Sequence, residues 1–394
     1  MARWYAGAAT AVIALIAPGI AHAQHETRAS VDVSPGVGYS SNPFAVAGGD
    51  TGSAYADVDI APRIQLLTPK STFTLSGDVS LQKYFSHYSS TDSYRIGLNY
   101  NGRPSARLQT HMRVDLSSAI IGAYNTLDNG VIEPGVPVPS DYALFGSRDR
   151  RRSLYASGGF DLALSERDSI SVNGFYELAR YRLYADTSDY NGYGGTIAYN
   201  RQISANTRIG LQGGVSRYDY RGPLGSTEVY SISPTISTKL GRLWTLDGAV
   251  GVSFVNSSST GSTNAASLSG NVSLCRNGEL STFCINAARQ VRPTGLDGSQ
   301  YVNTVGANWN RKLSPYTTIS AYGSYSTQSG VRLPNFPGLD VRYLTGGVAY
   351  ERRLTERLKL VASGRYRKIF SHSYNRSDDI GGRIGVTYRF GDPR

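Results

Sequence analysis

From Asp379 to Phe390 the chain reads Asp-Ile-Gly-Gly-Arg-Ile-Gly-Val-Thr-Tyr-Arg-Phe, apolar and polar residues taking turns. Ile380, Gly382, Ile384, Val386, Tyr388 and Phe390 fall on one face; Gly381, Arg383, Gly385, Thr387 and Arg389 fall on the other. A period of two belongs to a β-strand with one apolar and one polar side. The same pattern recurs along nearly the whole chain. Its apolar faces must therefore either meet in a core or face lipid.

The N-terminus bears on that choice. Arg3, the apolar stretch Ala6 to Ile20 and Ala21-His22-Ala23 before Gln24 predict a secretory signal peptide over residues 1–23, with residues 24–394 as one folded domain. No cysteine stands at the cleavage point, which argues against a lipoprotein anchor. Beyond Gln24 no apolar run approaches the roughly 20 residues of a membrane helix. The mean hydropathy of −0.29 reads as soluble, but that test misses β-barrels, whose lumen-facing residues dilute the lipid-facing ones. With 28 Tyr and 44 Gly against 2 Met and 2 Cys, the composition suits aromatic, Gly-rich strands better than a helical or α/β enzyme.

Alternation and turn signals predict an all-β fold, an antiparallel transmembrane barrel of about 18 strands, an even count as is usual for bacterial single-chain barrels. The expected strands are 29–41, 53–67, 72–86, 92–102, 106–121, 151–165, 168–184, 190–203 and 206–220 in the first half. In the second half they are 226–239, 243–256, 266–276, 282–292, 299–312, 316–329, 340–353, 357–371 and 378–390. The connections alternate in length. Thr68-Pro69-Lys70-Ser71, Ser165-Glu166-Arg167-Asp168 and Gly241-Arg242 are tight, whereas Asn42 to Gly52, Gly122 to Arg150, Asn256 to Ala265 and Gly330 to Leu339 are long. Short periplasmic turns and longer extracellular loops are the signature of an outer-membrane barrel in a Gram-negative cell. Its lipid contacts would be membrane lipid and lipopolysaccharide. Pro62 and Pro234 fall inside expected strands, where each removes a ladder hydrogen bond and calls for a bulge or a rim.

A barrel of this size is too wide for side chains alone to fill, so the polar faces surround water. Alternation places Arg63, Arg95, Arg107, Arg113, Arg208, Lys239, Lys359, Arg365, Arg367, Arg383 and Arg389 on the lumen side. The inward acids are Asp57, Asp59, Asp78, Asp115, Asp161, Glu177, Asp247 and Glu351. Two readings stand: a cationic bore that concentrates anions, or Arg–carboxylate pairs that only cross-link the wall. The balance of 40 Lys+Arg against 29 Asp+Glu leans towards anionic solutes. Nucleic acid is not an expected partner of an exported barrel. Tyr84, Tyr155, Tyr322 and Tyr343 would line the bore as stacking surfaces for a sugar.

Cys275 and Cys284 flank a turn containing Asn277-Gly278, and both point inward by alternation. In an oxidising compartment they are expected to form a disulfide. The mature chain offers no catalytic constellation: His25, His87, His111 and His372 are scattered, and neither a nucleophile elbow nor a zinc spacing is present. No enzyme activity, metal or cofactor is expected. Arg148, Arg150, Arg151 and Arg152 form a basic cluster at the expected outer rim, readable as a lipopolysaccharide contact or as a solvated loop end. The Gly122–Arg150 connection is readable as a plug, a gate or a plain extracellular loop.

At Ser34-Pro35-Gly36-Val37-Gly38-Tyr39-Ser40-Ser41-Asn42-Pro43-Phe44 the chain resembles the start of outer-membrane β-barrel porin families found beside exopolysaccharide gene clusters. The cysteine hairpin followed by Pro293-Thr294-Gly295-Leu296-Asp297-Gly298 is similar to members of that group. The resemblance implies a conduit carrying an exported, acidic exopolysaccharide across the outer membrane, as polysaccharide-export barrels do, together with periplasmic export proteins. The alternatives are a general or anion-preferring diffusion porin, and a non-conducting surface barrel that binds partners through its loops.

Overall fold

The computed structural model describes residues 26–46, 48, 51–123, 141, 144–182, 188–221, 225–258, 263–295, 298–330, 341–371 and 378–392; the predicted signal segment lies outside them. Each expected stretch of alternation forms a strand. The first nine are β1 (Glu26–Ser40), β2 (Ser53–Thr68), β3 (Ser71–Tyr84), β4 (Thr91–Gly102), β5 (Leu108–Ile120), β6 (Arg150–Ala163), β7 (Asp168–Tyr181), β8 (Tyr190–Gln202) and β9 (Thr207–Tyr220). The rest are β10 (Ser226–Leu240), β11 (Trp244–Ser257), β12 (Thr263–Asn277), β13 (Ser281–Thr294), β14 (Gly298–Ser314), β15 (Thr317–Gly330), β16 (Val341–Arg353), β17 (Leu358–Ser371) and β18 (Asp379–Gly391). Each strand pairs antiparallel with its chain neighbours, and β1 pairs with β18, from Ser30↔Gly391 to Ser40↔Gly381. The sheet is closed, so it has no free edge along that seam.

Several of the short turns are closed by hydroxyl side chains. Thr68 Oγ1 accepts from the Ser71 N–H at 2.8 Å, Ser165 Oγ from Asp168 at 3.0 Å and Thr355 Oγ1 from Leu358 at 3.0 Å. A Ser or Thr opening a turn in this way supplies the acceptor that the next strand has not yet provided. The same device shortens β5: Ser105 Oγ accepts from Arg107 and Leu108, so Arg107 belongs to the turn. Arg107 is thus exposed at the periplasmic mouth and not in the wall as alternation suggested.

The outward rows are apolar and exposed, with Ile380 at 63% and Ile384 at 61%. Aromatics ring both ends: Tyr199, Tyr316, Tyr388 and Phe390 at the periplasmic end, Tyr39, Phe85, Tyr94, Tyr193 and Phe254 at the other. A closed, even-stranded barrel with an apolar belt between two aromatic girdles is built for lipid. The protein is an outer-membrane β-barrel of a Gram-negative cell.

Both prolines turn outward where one ladder is interrupted. The β2–β3 register passes from Ile60↔Val79 to Arg63↔Ser76, with Gly77 leaving room for the Pro62 ring. The β10–β11 register passes from Ile232↔Val252 to Thr235↔Ala249 around Pro234. Each proline thus lacks its N–H where no partner asks for it.

A larger interruption lies between β12 and β13. β12 and β13 are 15 and 14 residues long, yet they pair only from Gly270↔Arg289 to Asn277↔Thr282. Towards the extracellular side β12 stays with β11 up to Ser257↔Thr263, while β13 stays with β14 up to Thr294↔Gly298. The wall therefore forks at Gly270. This residue has φ +150°, and a Cβ there would run into the Ala249 carbonyl oxygen. At the periplasmic end of the same pair, Cys275 and Cys284 face each other in register and form the disulfide, with Cα atoms 4.1 Å apart.

Candidate functional site

Three segments fold inward from the extracellular end and narrow the lumen. The first follows β1. Asn42 clamps its own turn, its side chain donating to the Val46 carbonyl and accepting from the Val46 N–H, both at 3.0 Å. This turns Phe44 into the barrel, where it is 0% exposed against Tyr84 and Tyr88 with ring centroids 5.5 and 4.9 Å away. The Arg148 guanidinium lies 5.1 Å over the Phe44 ring and 5.5 Å over Tyr88. Burial raises the Tyr88 phenol above its ordinary pKa, against the opposing charge of Arg148, so Tyr88 stays neutral.

The second segment is the described part of the long connection after β5. Ile121, Leu144 and Phe145 bury themselves against Val341, Tyr343 and Ile369. Arg367, 2% exposed, ties the two segments together. Its Nη1 donates to the Gly122 carbonyl at 2.6 Å, its Nη2 to the Asn42 carbonyl at 2.9 Å, and its Nε pairs with Asp379 at 2.8 Å. Asp379 in turn accepts from the Asn42 N–H at 3.0 Å. A buried guanidinium of this kind is held by its carboxylate counter-charge and by two carbonyl acceptors.

The third segment is the free end of the β13–β14 hairpin, which leans inward once β13 has left β12. Val291 and Tyr301, outward by alternation, pack instead on Val229 and Val255 of the inner wall. Arg292 reaches Glu177 on β7 at 3.0 Å. Glu177 also accepts from the Tyr190 hydroxyl at 3.1 Å and lies 3.6 Å from Arg151. Arg151 pairs with Asp141 at 3.3 Å, and Asp141 accepts from the Gly295 N–H at 2.9 Å. The Tyr220 hydroxyl and Ser299 Oγ, 2.9 Å apart, complete the seat.

Arg95, Arg113, Arg365, Arg367, Arg383 and Arg389 lie on inward rows and have carboxylate partners. Arg95 and Arg113 share Asp115, Arg383 takes Asp57 and Asp59, Arg389 takes Asp32 and Arg365 lies 4.0 Å from Asp379. Arg63, Arg208, Lys239 and Lys359 also lie on inward rows, towards the periplasmic mouth, without an ion pair among the described residues. His111 Nε2 is 2.6 Å from Asn173 Oδ1, which makes it a bonded wall histidine. Tyr84 and Tyr343, 2% and 4% exposed, are covered by the inward segments. Tyr322 lies against Gly347, and Tyr155 is offset from Phe175 with centroids 6.5 Å apart. The basic cluster is divided: Arg148 stacks on Phe44, Arg151 turns inward, and Arg150 pairs with Asp92 at 2.8 Å. It does not act as one patch.

No protein-family model matches the chain, and no curated protein matches it. Among solved structures it is similar to a BenF-like porin from Pseudomonas fluorescens Pf-5, at 11% identity over 93% of this chain and 99% of that one, with a TM-score of 0.49. It is similar to OccK2 (OpdF) from Pseudomonas aeruginosa, at 11% identity over 94% and 99%, TM-score 0.48. The FrpB iron transporter from Neisseria meningitidis gives 7% identity over 92% and 81%, TM-score 0.48. Likeness at this level carries nothing about what passes through this barrel.

Proposed function

We propose that the protein is a non-enzymatic conduit for small water-soluble solutes, wide and wet at the periplasmic mouth and narrowed at the extracellular one. The observation that carries this reading is the inward packing of the three segments against lumen-facing side chains, with Phe44, Arg367 and Tyr190 fully buried. Such a mouth suits a small solute. A polymer needs a continuous bore, and the covered Tyr84 and Tyr343 offer it no stacking surface. Export of an acidic exopolysaccharide with periplasmic partners therefore has less support than the diffusion-porin reading. Arg63, Arg208, Lys239 and Lys359 give the wet mouth a mild preference for anions. Arg150, Arg152 and Arg180 sit on outward rows at the extracellular rim, where lipopolysaccharide phosphates lie.

Planar-bilayer conductance tests the reading. The wild type is expected to give small unitary steps, and Arg292→Ala larger ones, because the hairpin loses its anchor on Glu177. Absence of steps in both proteins would favour the non-conducting alternative. In a deletion strain the secreted polymer is expected to be unchanged; its loss would return polymer export to first place.

A further inference from the structure

At the periplasmic ends of β12, β14 and β16 the outward rows carry Arg276, Arg311 and Arg352, all exposed. Arg276 stands in one row with Trp244, Phe283 and Trp309, paired Trp244↔Arg276, Arg276↔Phe283 and Phe283↔Trp309. The next outward row towards the apolar belt holds Leu246, Leu274 and Ile285. Arg276 therefore lies where the hydrocarbon ends and the aromatic girdle begins. Arg311 stands two residues beyond Trp309 on β14, and Arg352 two beyond Tyr350 on β16.

The three arginines share one height. The row of Trp309 runs through Ala321 to Val348, and the girdle residue of β16 is Tyr350, two residues nearer the periplasm. Strands tilted by roughly 35–45° require such a step of any level line. The arginines repeat it. The row of Arg276 leads to Trp309, with Arg311 two residues beyond; the row of Arg311 leads through Ile319 to Tyr350, with Arg352 two beyond. Strand spacing and rise put neighbours in this belt roughly 12 Å apart.

None of the three has an ion pair among the described residues, although Glu279 and Glu356 stand exposed in the adjoining turns. Their outward neighbours are uncharged: Ser281 and Ile319 flank Arg311, and Thr317 and Leu360 flank Arg352. A guanidinium at the hydrocarbon edge lays its stem on the apolar surface and holds its head at the level of lipid phosphates, which match its donors. These rows offer no carboxylate to the ammonium of a zwitterionic lipid, so the charge favours a phosphate that carries none. We propose that the belt binds the phosphates of anionic phospholipids, of the phosphatidylglycerol type, in the periplasmic leaflet. The site rests on the placement of the barrel in the outer membrane and stands whether or not solutes cross its lumen.

The test reads the fluorescence of Trp244 and Trp309 in a Trp4→Phe background, where they are the only tryptophans. The full chain is reconstituted in phosphatidylcholine vesicles that contain brominated phosphatidylglycerol or, separately, brominated phosphatidylcholine, bromine quenching the indoles on contact. Phosphatidylglycerol is expected to associate about fivefold more strongly, the size of one contact between an arginine and an acidic lipid. In the combined variant Arg276→Gln, Arg311→Gln and Arg352→Gln the ratio is expected to fall to about one. Arg276→Gln alone, expected to halve the ratio roughly, serves should the triple variant fail to assemble. Arg201→Gln removes an outward periplasmic cation that lies 3.8 Å from Asp168, and is expected to leave the ratio unchanged. Equal quenching by the two lipids in the parent protein would overturn the proposal. So would a preference that survives in the assembled belt variant, or an equal fall in Arg201→Gln, either of which would assign it to the net charge of the protein.

Discussion

Arg367 is where a single side chain carries the most structure. It serves two loop carbonyls and one carboxylate from a buried position, so truncation leaves Asp379 buried without its main counter-charge. Breaking a buried pair from one side costs about 3–5 kcal/mol. Arg367→Ala is expected to lower the thermal midpoint, release the two loop segments to protease in the assembled barrel and enlarge the conductance step. An unchanged protease pattern would mean that the loops are held elsewhere. Alternation put Arg367 on the inward face and could go no further, because its partners are backbone oxygens of two distant loops. The motif Ser41-Asn42-Pro43-Phe44 was visible in the sequence; its task of turning Phe44 into the lumen was not.

At the scale of elements, strand identity and parity were open to sequence reasoning, because each outward row meets lipid and must be apolar over its length. The cysteine pair follows from the same parity: two inward residues equidistant from a turn meet in register. The hairpin is already closed by its ladder, so the disulfide adds at most about 2–3 kcal/mol by loop closure. Cys275→Ser with Cys284→Ser is expected to leave the heat-modifiable gel shift intact; a barrel that fails to form would show that the bond guides pairing. The inward lean of β13 and β14 was missed, and a signal for it exists. Arg289, Pro293, Ser299 and Asn303 stand where the outward row should be apolar, so these strand ends are unsuited to lipid. Read as departures from alternation, they mark the hairpin's free end as buried in the protein.

Over the whole molecule, charge is distributed by level. Inward cations near the constriction are paired, as is Arg389 with Asp32 at the periplasmic end, while among the described residues Arg63, Arg208, Lys239 and Lys359 of the periplasmic mouth have no ion pair. Replacing Arg63, Arg208 and Lys239 with Glu is expected to move the reversal potential in a salt gradient towards cation preference, with stability nearly unchanged, since none of the three is in an ion pair among the described residues. A reversal potential that does not move would assign selectivity to the packed mouth. Closure is also a property of the whole chain. Arg383 on β18 reaches across β1 to Asp57 and Asp59 on β2, its Nε 2.8 Å from Asp57, and passes over Gly36, where a Cβ would meet its guanidinium at 2.8 Å. Arg383→Ala is expected to slow conversion to the heat-modifiable form more than it changes the finished channel's conductance; equal rates would confine Arg383 to the final wall.

Translation adds an order in time to that clasp. Asp57 and the arginine that neutralises it are 326 residues apart, so the first hairpin leaves the ribosome with its carboxylates hydrated and waits for nearly the entire chain. Until the last strand arrives those charges oppose transfer of the hairpin into hydrocarbon. The pin of the clasp is made last, so neutralising Asp57 and sealing the cylinder fall together.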